Sequence, residues 1–301
     1  MENNNQLRIL HLGLCAKSES LPRYFREVAT VYDEYQPHEA VDNGKSYDIC
    51  FMQIQNEKTG NGKTVDKLSW VKRLKDEGCK VISWTGDKRQ TTPRWMVDFA
   101  PNVSVTCFSN MEDVNYFRSL GLRSEFLQIG IDEQIFKPEG DVLKVPEVIF
   151  LANNYGNQFP LSGFRRDLVH ALDNNFDFGV YGNGWKNAKG NLNTDQYEEA
   201  KAYRGCKIAI SASHFNSERY TSDRLLRIIG CGAFCMVHDY NTIEKDFKIG
   251  QEMIAFHSVQ DCVSKVGIWL KSPHRETIAN NAHKASKRFT YKEMINNIIK
   301  M

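Results

Sequence analysis

The sequence predicts an α/β protein built from two doubly wound domains that face each other across a cleft, and three observations point there. Short apolar runs alternate with amphipathic stretches, and strand alternating with helix implies a parallel sheet covered on both faces. The alternation runs twice, on either side of Asp132–Pro146, which holds Pro138, Gly140 and Pro146 among charges and has no sustained periodicity. The length, 301 residues, suffices for two cores of ordinary domain size. The expected domains are residues 1–145 and 146–288, followed by a terminal segment, 289–301.

In chain order, Leu7–Leu14 reads as a first strand and Ser20–Tyr32 carries helix-spaced apolar residues. Tyr47–Ile54 is a second strand. Val65, Leu68, Val71 and Leu74 recur at helical spacing, and Gly78 closes that helix. Cys79–Trp84, Val103–Phe108 and Ser124–Ile129 continue as strands. Between the last two, Asn110 caps a helix that has Glu112 and Asp113 in its first turn and Gly121 at its end. In the second half, Glu147–Ala152, Phe176–Tyr181, Cys206–Ala212 and Ala233–Val237 read as strands. Arg165–Leu172, Asp195–Tyr203 and Ser222–Ile229 read as helices, and further helices fill the tail from Val259. Two such units leave a cleft at the carboxyl ends of their strands, where ligands of doubly wound folds bind.

Composition narrows the function classes. Hydrophobic residues at 41% and charged residues at 25% describe a soluble globular chain. A net charge of +2 argues against a general nucleic-acid binder. The basic excess lies in the second half and suits an anionic ligand such as a nucleoside diphosphate; an uneven solvated surface explains it equally. No stretch reaches the roughly eighteen apolar residues of a membrane helix. The run Ile9–Cys15 follows an acidic, Asn-rich start, unlike a signal peptide, so a cytoplasmic location is expected. The eight cysteines sit mostly in strand-like runs, as buried reduced thiols do. Cys231, Cys235 and His238 invite a metal reading, but Phe234, Met236 and Val237 make that segment a buried strand, and no metal is expected.

Several motifs carry chemistry. Tyr181-Gly182-Asn183-Gly184-Trp185 follows a strand, where glycines let a backbone approach a ligand and Trp185 can cover an apolar surface; a tight turn with a core tryptophan is the alternative. A Gly-x-Gly-x-x-Gly fingerprint is missing, since the first strand offers only Gly13, and a nicotinamide enzyme is disfavoured. Thr221-Ser222-Asp223-Arg224 opens a helix leading to Gly230-Cys231-Gly232. There Ser222 caps the helix, the free N–H groups favour phosphate, and Arg224 offers a guanidinium fork. Asn153-Asn154 ends the first strand of the second half, and its loop runs on to Arg165-Arg166, which can reach phosphate or stay solvated. In the first half, Asp87 of Trp84-Thr85-Gly86-Asp87-Lys88-Arg89 follows a strand, where a carboxylate serves as a general base or as a turn aspartate. His11 and His214, near strand ends, compete for acid–base or ligand roles against ordinary structural hydrogen bonding.

From about Val148 onward, the order of these motifs resembles the glycosyltransferase group 1 family, especially its spore-maturation-protein-like branch. The shared pattern runs from the Tyr-Gly-x-Gly-Trp turn through Lys207-Ile208-Ala209-Ile210 and Ser222-Asp223-Arg224 to Gly230-Cys-Gly232-Ala-Phe and Phe289-Thr290-Tyr291. In the first half, Ser109-Asn110 and Gly130-Ile131-Asp132, with Phe136 and Pro138, are similar to the interdomain region of the same enzymes. The resemblance implies a GT-B fold of two Rossmann-like domains, with the acceptor on the first and a nucleotide-sugar donor on the second. It also implies that 289–301 is a helix crossing back to the first domain, and that no bound metal or other cofactor is obligatory. Donor binding then falls to Asn153, Asn154, Arg165, Gly182, Gly184, Trp185, Ser222, Asp223 and Arg227, with Arg224 stabilising the leaving diphosphate and Asp87 as base. Gly13 and His11 lie on the acceptor side.

One departure stands out. Relatives carry a glutamate three residues after the arginine of the Ser-Asp-Arg segment, and here that position is Arg227. Glu218 does not restore the usual Glu-x7-Glu pair, because Leu226 falls at its second position. The acceptor is a hydroxyl of a glycan or, given the Lys and Arg of Lys58–Arg94 with Trp70 and Trp84, of a hydroxymethylated DNA base. The alternative is a module that kept the fold and lost turnover.

Overall fold

The computed structural model describes residues 7–13, 20–35, 44–53, 67–192 and 195–301. Leu14, Cys15, Ile54 and the stretch from Lys58 to Val65 lie outside the described residues.

The chain forms two compact units, Met1–Ile129 with Tyr291–Met301, and Gly130–Thr290. The first contains β1 (Arg8–Leu12), α1 (Ser20–Val28), β2 (Val31–Tyr35), β3 (Ile49–Gln53), α2 (Lys67–Asp76), β4 (Lys80–Thr85), α3 (Arg94–Phe99), β5 (Val105–Phe108), α4 (Met111–Ser119) and β6 (Ser124–Phe126). The second contains β7 (Val148–Leu151), α5 (Ser162–Asn175), β8 (Phe178–Tyr181), α6 (Gln196–Gly205), β9 (Ile208–Ser211), α7 (Asp223–Gly230), β10 (Cys235–His238), β11 (Ile254–Phe256), α8 (Val259–Trp269) and α9 (Arg275–Ser286). The last helix, α10 (Tyr291–Lys300), belongs to the first unit.

Every strand pair is parallel, in the orders β2-β1-β3-β4-β5-β6 and β11-β10-β9-β7-β8. Successive strand residues point to opposite faces, so each buried strand serves two cores. Ile9, Phe51, Ile82 and Val105 face Phe25 of α1 and Ile295 and Ile298 of α10. Leu10, Cys50, Met52 and Val81 face Val71 and Leu74 of α2. In the second unit, Val148, Phe150, Val180 and Ile210 pack on Leu168 and Leu172 of α5 and Val266 of α8.

Asn110 caps α4 as expected, its Oδ1 accepting from Asp113 N at 2.9 Å. Two strands and one helix escaped the sequence reading. β2 (Val31–Tyr35) has no fully buried residue and carries Asp33 and Glu34, so the helical reading ran through its start. β11 has three residues and α3 six.

The segment 132–146 is irregular, but it packs inside the second unit instead of linking the two. Ile131, Ile135 and Phe136 are buried. A Cβ on Gly230 would lie 2.6 Å from Ile131 Cδ1, and one on Gly205 2.0 Å from the Leu143 carbonyl oxygen. Gly205 and Gly230 are therefore glycines of close packing. Among the described residues no helix is long and apolar enough to cross a membrane, and no three metal-binding side chains cluster. Cys235 and His238, three apart on β10, point to opposite faces.

Candidate functional site

In the second sheet β7 lies between β8, the edge strand, and β9. The chain reverses its direction of travel across the sheet between β7 and β9, the point at which strand ends of doubly wound folds splay and leave a ligand crevice. Four sequence-predicted elements converge there: the Asn153-Asn154 loop after β7, Arg165 on α5, the turn after β8, and the amino end of α7.

Arg224 spans the crevice. Its Nε donates to the Leu151 carbonyl at the end of β7, and its Nη1 to the Ala212 carbonyl just past β9 at 3.2 Å. Ser222 holds the helix beneath it, Oγ accepting from Leu225 N at 3.4 Å. Arg165 enters from α5 and is 1% exposed. Its Nη2 donates to the Asn153 carbonyl at 3.1 Å, and its Nη1 lies against the ring nitrogens of His214. The Nε of Arg165 is buried without a hydrogen-bond partner. Both guanidinium carbons stand 5.3 Å from the centroid of the Phe150 ring.

No carboxylate pairs with either guanidinium among the described residues. Asp223 directs Oδ1 to the backbone N of Arg224 and Oδ2 to Arg227. Burial, and then the Arg224 charge, pull Arg165 down from the ordinary guanidinium range to about 8. His214 is driven down to about 3 by burial first and by the two arginines second, so its imidazole is neutral at neutral pH. Two cations and a neutral imidazole thus share this region, and among the described residues the nearby Asp223 carboxylate contacts neither guanidinium, its oxygens being taken by Arg224 N and Arg227. Buried charge without a counter-charge costs free energy, and a bound anion offsets that cost.

The turn after β8 is tied to the loop after β7 by the chain's own contacts. Asn183 N donates to Asn153 Oδ1 at 2.9 Å, Asn154 Nδ2 to the Gly184 carbonyl at 3.1 Å, and Trp185 Nε1 to the Ala152 carbonyl at 2.6 Å. Gly182 and Gly184 have φ of 137° and 82°. A Cβ there would lie 2.4 Å from the Ala152 oxygen and 2.2 Å from the Asn154 oxygen. These glycines therefore permit approach of chain to chain, and Trp185 rests on the core around Phe150. Gly184→Ala is expected to destabilise the protein by about 1–3 kcal/mol, read as a lower urea midpoint at unchanged m.

Arg227 points elsewhere. It pairs with buried Glu199 at 2.8 Å and with Asp223 at 2.9 Å, and stacks 5.4 Å from the Phe136 centroid. Its charge is taken up by two carboxylates, and Leu226 beside it is fully buried. Arg166 likewise binds Asn157 Oδ1 at 2.6 Å and the Gly156 carbonyl, holding the loop. Glu218 pairs with Lys245 at 3.1 Å.

In the first unit, Asp87 is exposed after β4. Its loop is anchored by Ser109 Oγ donating to the Gly86 carbonyl at 2.6 Å and by Lys88 paired with Asp113 at 2.8 Å. His11, expected on the acceptor side, lies in the core of the first unit. It is fully buried between Phe25 and Phe51, with Nδ1 2.8 Å from Tyr32 Oη and Nε2 3.3 Å from Gln53 Oε1. Burial lowers it to about 4. Its place on β1, in step with inward-facing Ile9, was the available signal. Gly13 is buried, its N–H donating to the Tyr35 carbonyl at 3.2 Å.

Residues 165–300 match the model of the family described as glycosyl transferase-like. Among solved structures, a glycosyltransferase from Rickettsia africae aligns at TM-score 0.66 and 11% identity, over 98% of this chain and 97% of that one. Sucrose-phosphate synthase from Thermosynechococcus elongatus aligns at 0.66 and 8% identity, over 97% and 98%. HepE of Anabaena, in complex with UDP and glucose, aligns at 0.64 and 12% identity, over 98% of each chain. Among curated proteins none matches. Residues 165–300 are thus similar to the glycosyl transferase-like family, and the chain has the GT-B fold.

Proposed function

We propose that the chain is a glycosyltransferase that binds a nucleoside-diphosphate sugar in its second unit and transfers the sugar to a hydroxyl acceptor. The observation that carries this reading is the Arg165–Arg224 pair at the carboxyl ends of β7 and β9, two guanidiniums that no carboxylate contacts among the described residues. A diphosphate dianion supplies the missing charge. In the transfer step, negative charge builds on the departing diphosphate, and fixed cations there lower the barrier without a metal being obligatory. Anabaena HepE, described in complexes with UDP and with UDP-glucose, supports a uridine-nucleotide donor.

Asp87 of the first unit is the proposed base if the reaction inverts configuration, and an acceptor-positioning group if it retains it. The acceptor hydroxyl is that of a glycan or a hydroxymethylated DNA base; steep salt dependence of DNA binding supports the second. Asp87→Asn is expected to lower transfer by about 10²–10⁴-fold while leaving donor affinity near that of the wild type. Near-normal transfer removes it from the mechanism.

The experiment is product formation, or donor hydrolysis, by the purified chain with a panel of nucleotide sugars. Nucleotide binding without turnover on any of them favours the second reading, a non-catalytic binding module. The observation behind that reading is Arg227, which stands where relatives carry a glutamate and is engaged with Glu199.

A further inference from the structure

His214 is the third member of the Arg165–Arg224 crevice, and its surroundings are unusual for a histidine. The groups facing it are Arg165 from α5, Arg224 from α7, and Tyr155 from the loop after β7, whose ring centroid is 5.3 Å away. Phe159, at 4.6 Å, closes the other side. Neither a carboxylate nor any other anion faces the ring among the described residues. A neutral imidazole has one nitrogen that accepts and one that donates. The accepting nitrogen is the only role open toward Arg165, because a guanidinium has no lone pair to offer.

This arrangement makes the ring respond to an anion. A diphosphate bound to the two guanidiniums replaces imidazole nitrogen as the acceptor for Arg165 Nη1. It also offsets the two positive charges that, after burial, hold His214 unprotonated. The freed nitrogen then faces negative charge, where a proton on it is stabilised. Resting on the donor-binding reading above, we infer that His214 takes up one proton from solvent when the diphosphate of the donor binds, becoming a third cation of the site. His214 is thus a positioning residue. It holds Arg165 in place before the donor binds and hands it over to phosphate on binding.

The consequence is a linkage between pH and affinity. A group whose value rises on binding strengthens binding as pH falls below its bound-state value. His214 lies at about 3 in the free protein. If it returns to about 6.5 in the complex, binding is about eightfold tighter at pH 5.5 than at pH 7, a range in which Arg165, at about 8, stays mostly charged. UDP-glucose is the right probe, because its diphosphate is esterified at both ends and lacks the phosphate ionisation near pH 6.

Calorimetric titration of UDP-glucose, with ADP-glucose and GDP-mannose as companions, is done at pH 6 in two buffers of different ionisation enthalpy. At that pH the guanidiniums are already protonated, so proton uptake reports the imidazole. The expected result is a buffer-dependent apparent enthalpy equal to a substantial fraction of a proton taken up, together with the roughly eightfold rise in affinity from pH 7 to pH 5.5. In His214→Gln, whose amide hydrogen-bonds without titrating, the uptake and the pH dependence disappear. Wild-type binding with no buffer dependence overturns the inference and leaves the donor reading standing. Uptake that persists in His214→Gln overturns it as well. If none of the three sugars binds, the donor reading falls and this inference falls with it. Should His214→Gln fail to fold, the wild-type buffer dependence alone decides.

Discussion

Arg165→Met is expected to make the folded protein more stable and its hold on nucleotide weaker. Arg165 is a cation at 1% exposure, with no carboxylate beside it and its Nε unpaired. Methionine fills much the same volume, packs on Phe150, and removes the desolvation of an uncompensated charge. Relief of such a charge stabilises by about 1–3 kcal/mol, from which the bonds lost to the Asn153 carbonyl and His214 subtract roughly 1 kcal/mol. The net is a rise of a few degrees in melting temperature. Loss of charge-assisted hydrogen bonds to phosphate weakens affinity by about ten- to a hundredfold. A purely structural arginine gives the opposite stability result. The pair of measurements, thermal unfolding and nucleotide titration, therefore separates the two roles.

Arg224→Ala is expected to lower both stability and transfer. Its guanidinium joins the ends of β7 and β9 through the Leu151 and Ala212 carbonyls, so its removal frees both acceptors and costs about 1–2 kcal/mol. Loss of one fixed positive group at the leaving diphosphate lowers kcat by about 10²–10³-fold. Arg224→Lys keeps the charge but not the planar fork, and is expected to fall between alanine and wild type. Turnover undiminished in Arg224→Ala, with affinity also unchanged, contradicts its place at the phosphate.

These expectations rest on a site that was legible in sequence only as segments. The apolar runs Glu147–Ala152 and Cys206–Ala212 and the Ser222 cap are local signals; the strands form within those runs, at Val148–Leu151 and Ile208–Ser211, and Ser222 caps its helix. What local pattern does not carry is pairing at a distance. Glu199 meets Arg227 across 28 positions of sequence and His214 meets Arg165 across 49. Nothing in either segment alone marks them as partners. The Tyr-Gly-x-Gly-Trp turn shows the same limit from the other side. Its glycines and tryptophan have the composition of a ligand turn, yet their nearest neighbours are Ala152 and Asn154 of the adjoining loop. The missed β2 follows from its own chemistry, since Val31–Tyr35 is a half-buried edge strand with two acidic residues. Edge strands are where intrinsic propensity and burial pattern are weakest.

His11 carries the same lesson. A histidine near a strand's carboxyl end reads as a candidate for proton transfer, and alternation along β1 turns it into the core instead. The aromatic neighbours that bury it come from α1 and β3, which only the tertiary fold brings together.

The central claim is that the Arg165–Arg224 pair binds the diphosphate of a nucleotide donor. The most direct test is the ratio of UDP to uridine affinity, measured by titration calorimetry on the wild type and on Arg165→Met. UDP is expected to bind at least about tenfold more tightly than uridine, with most of that advantage lost in Arg165→Met. Equal affinity for UDP and uridine in the wild type, or an advantage for UDP that survives in Arg165→Met, contradicts the claim.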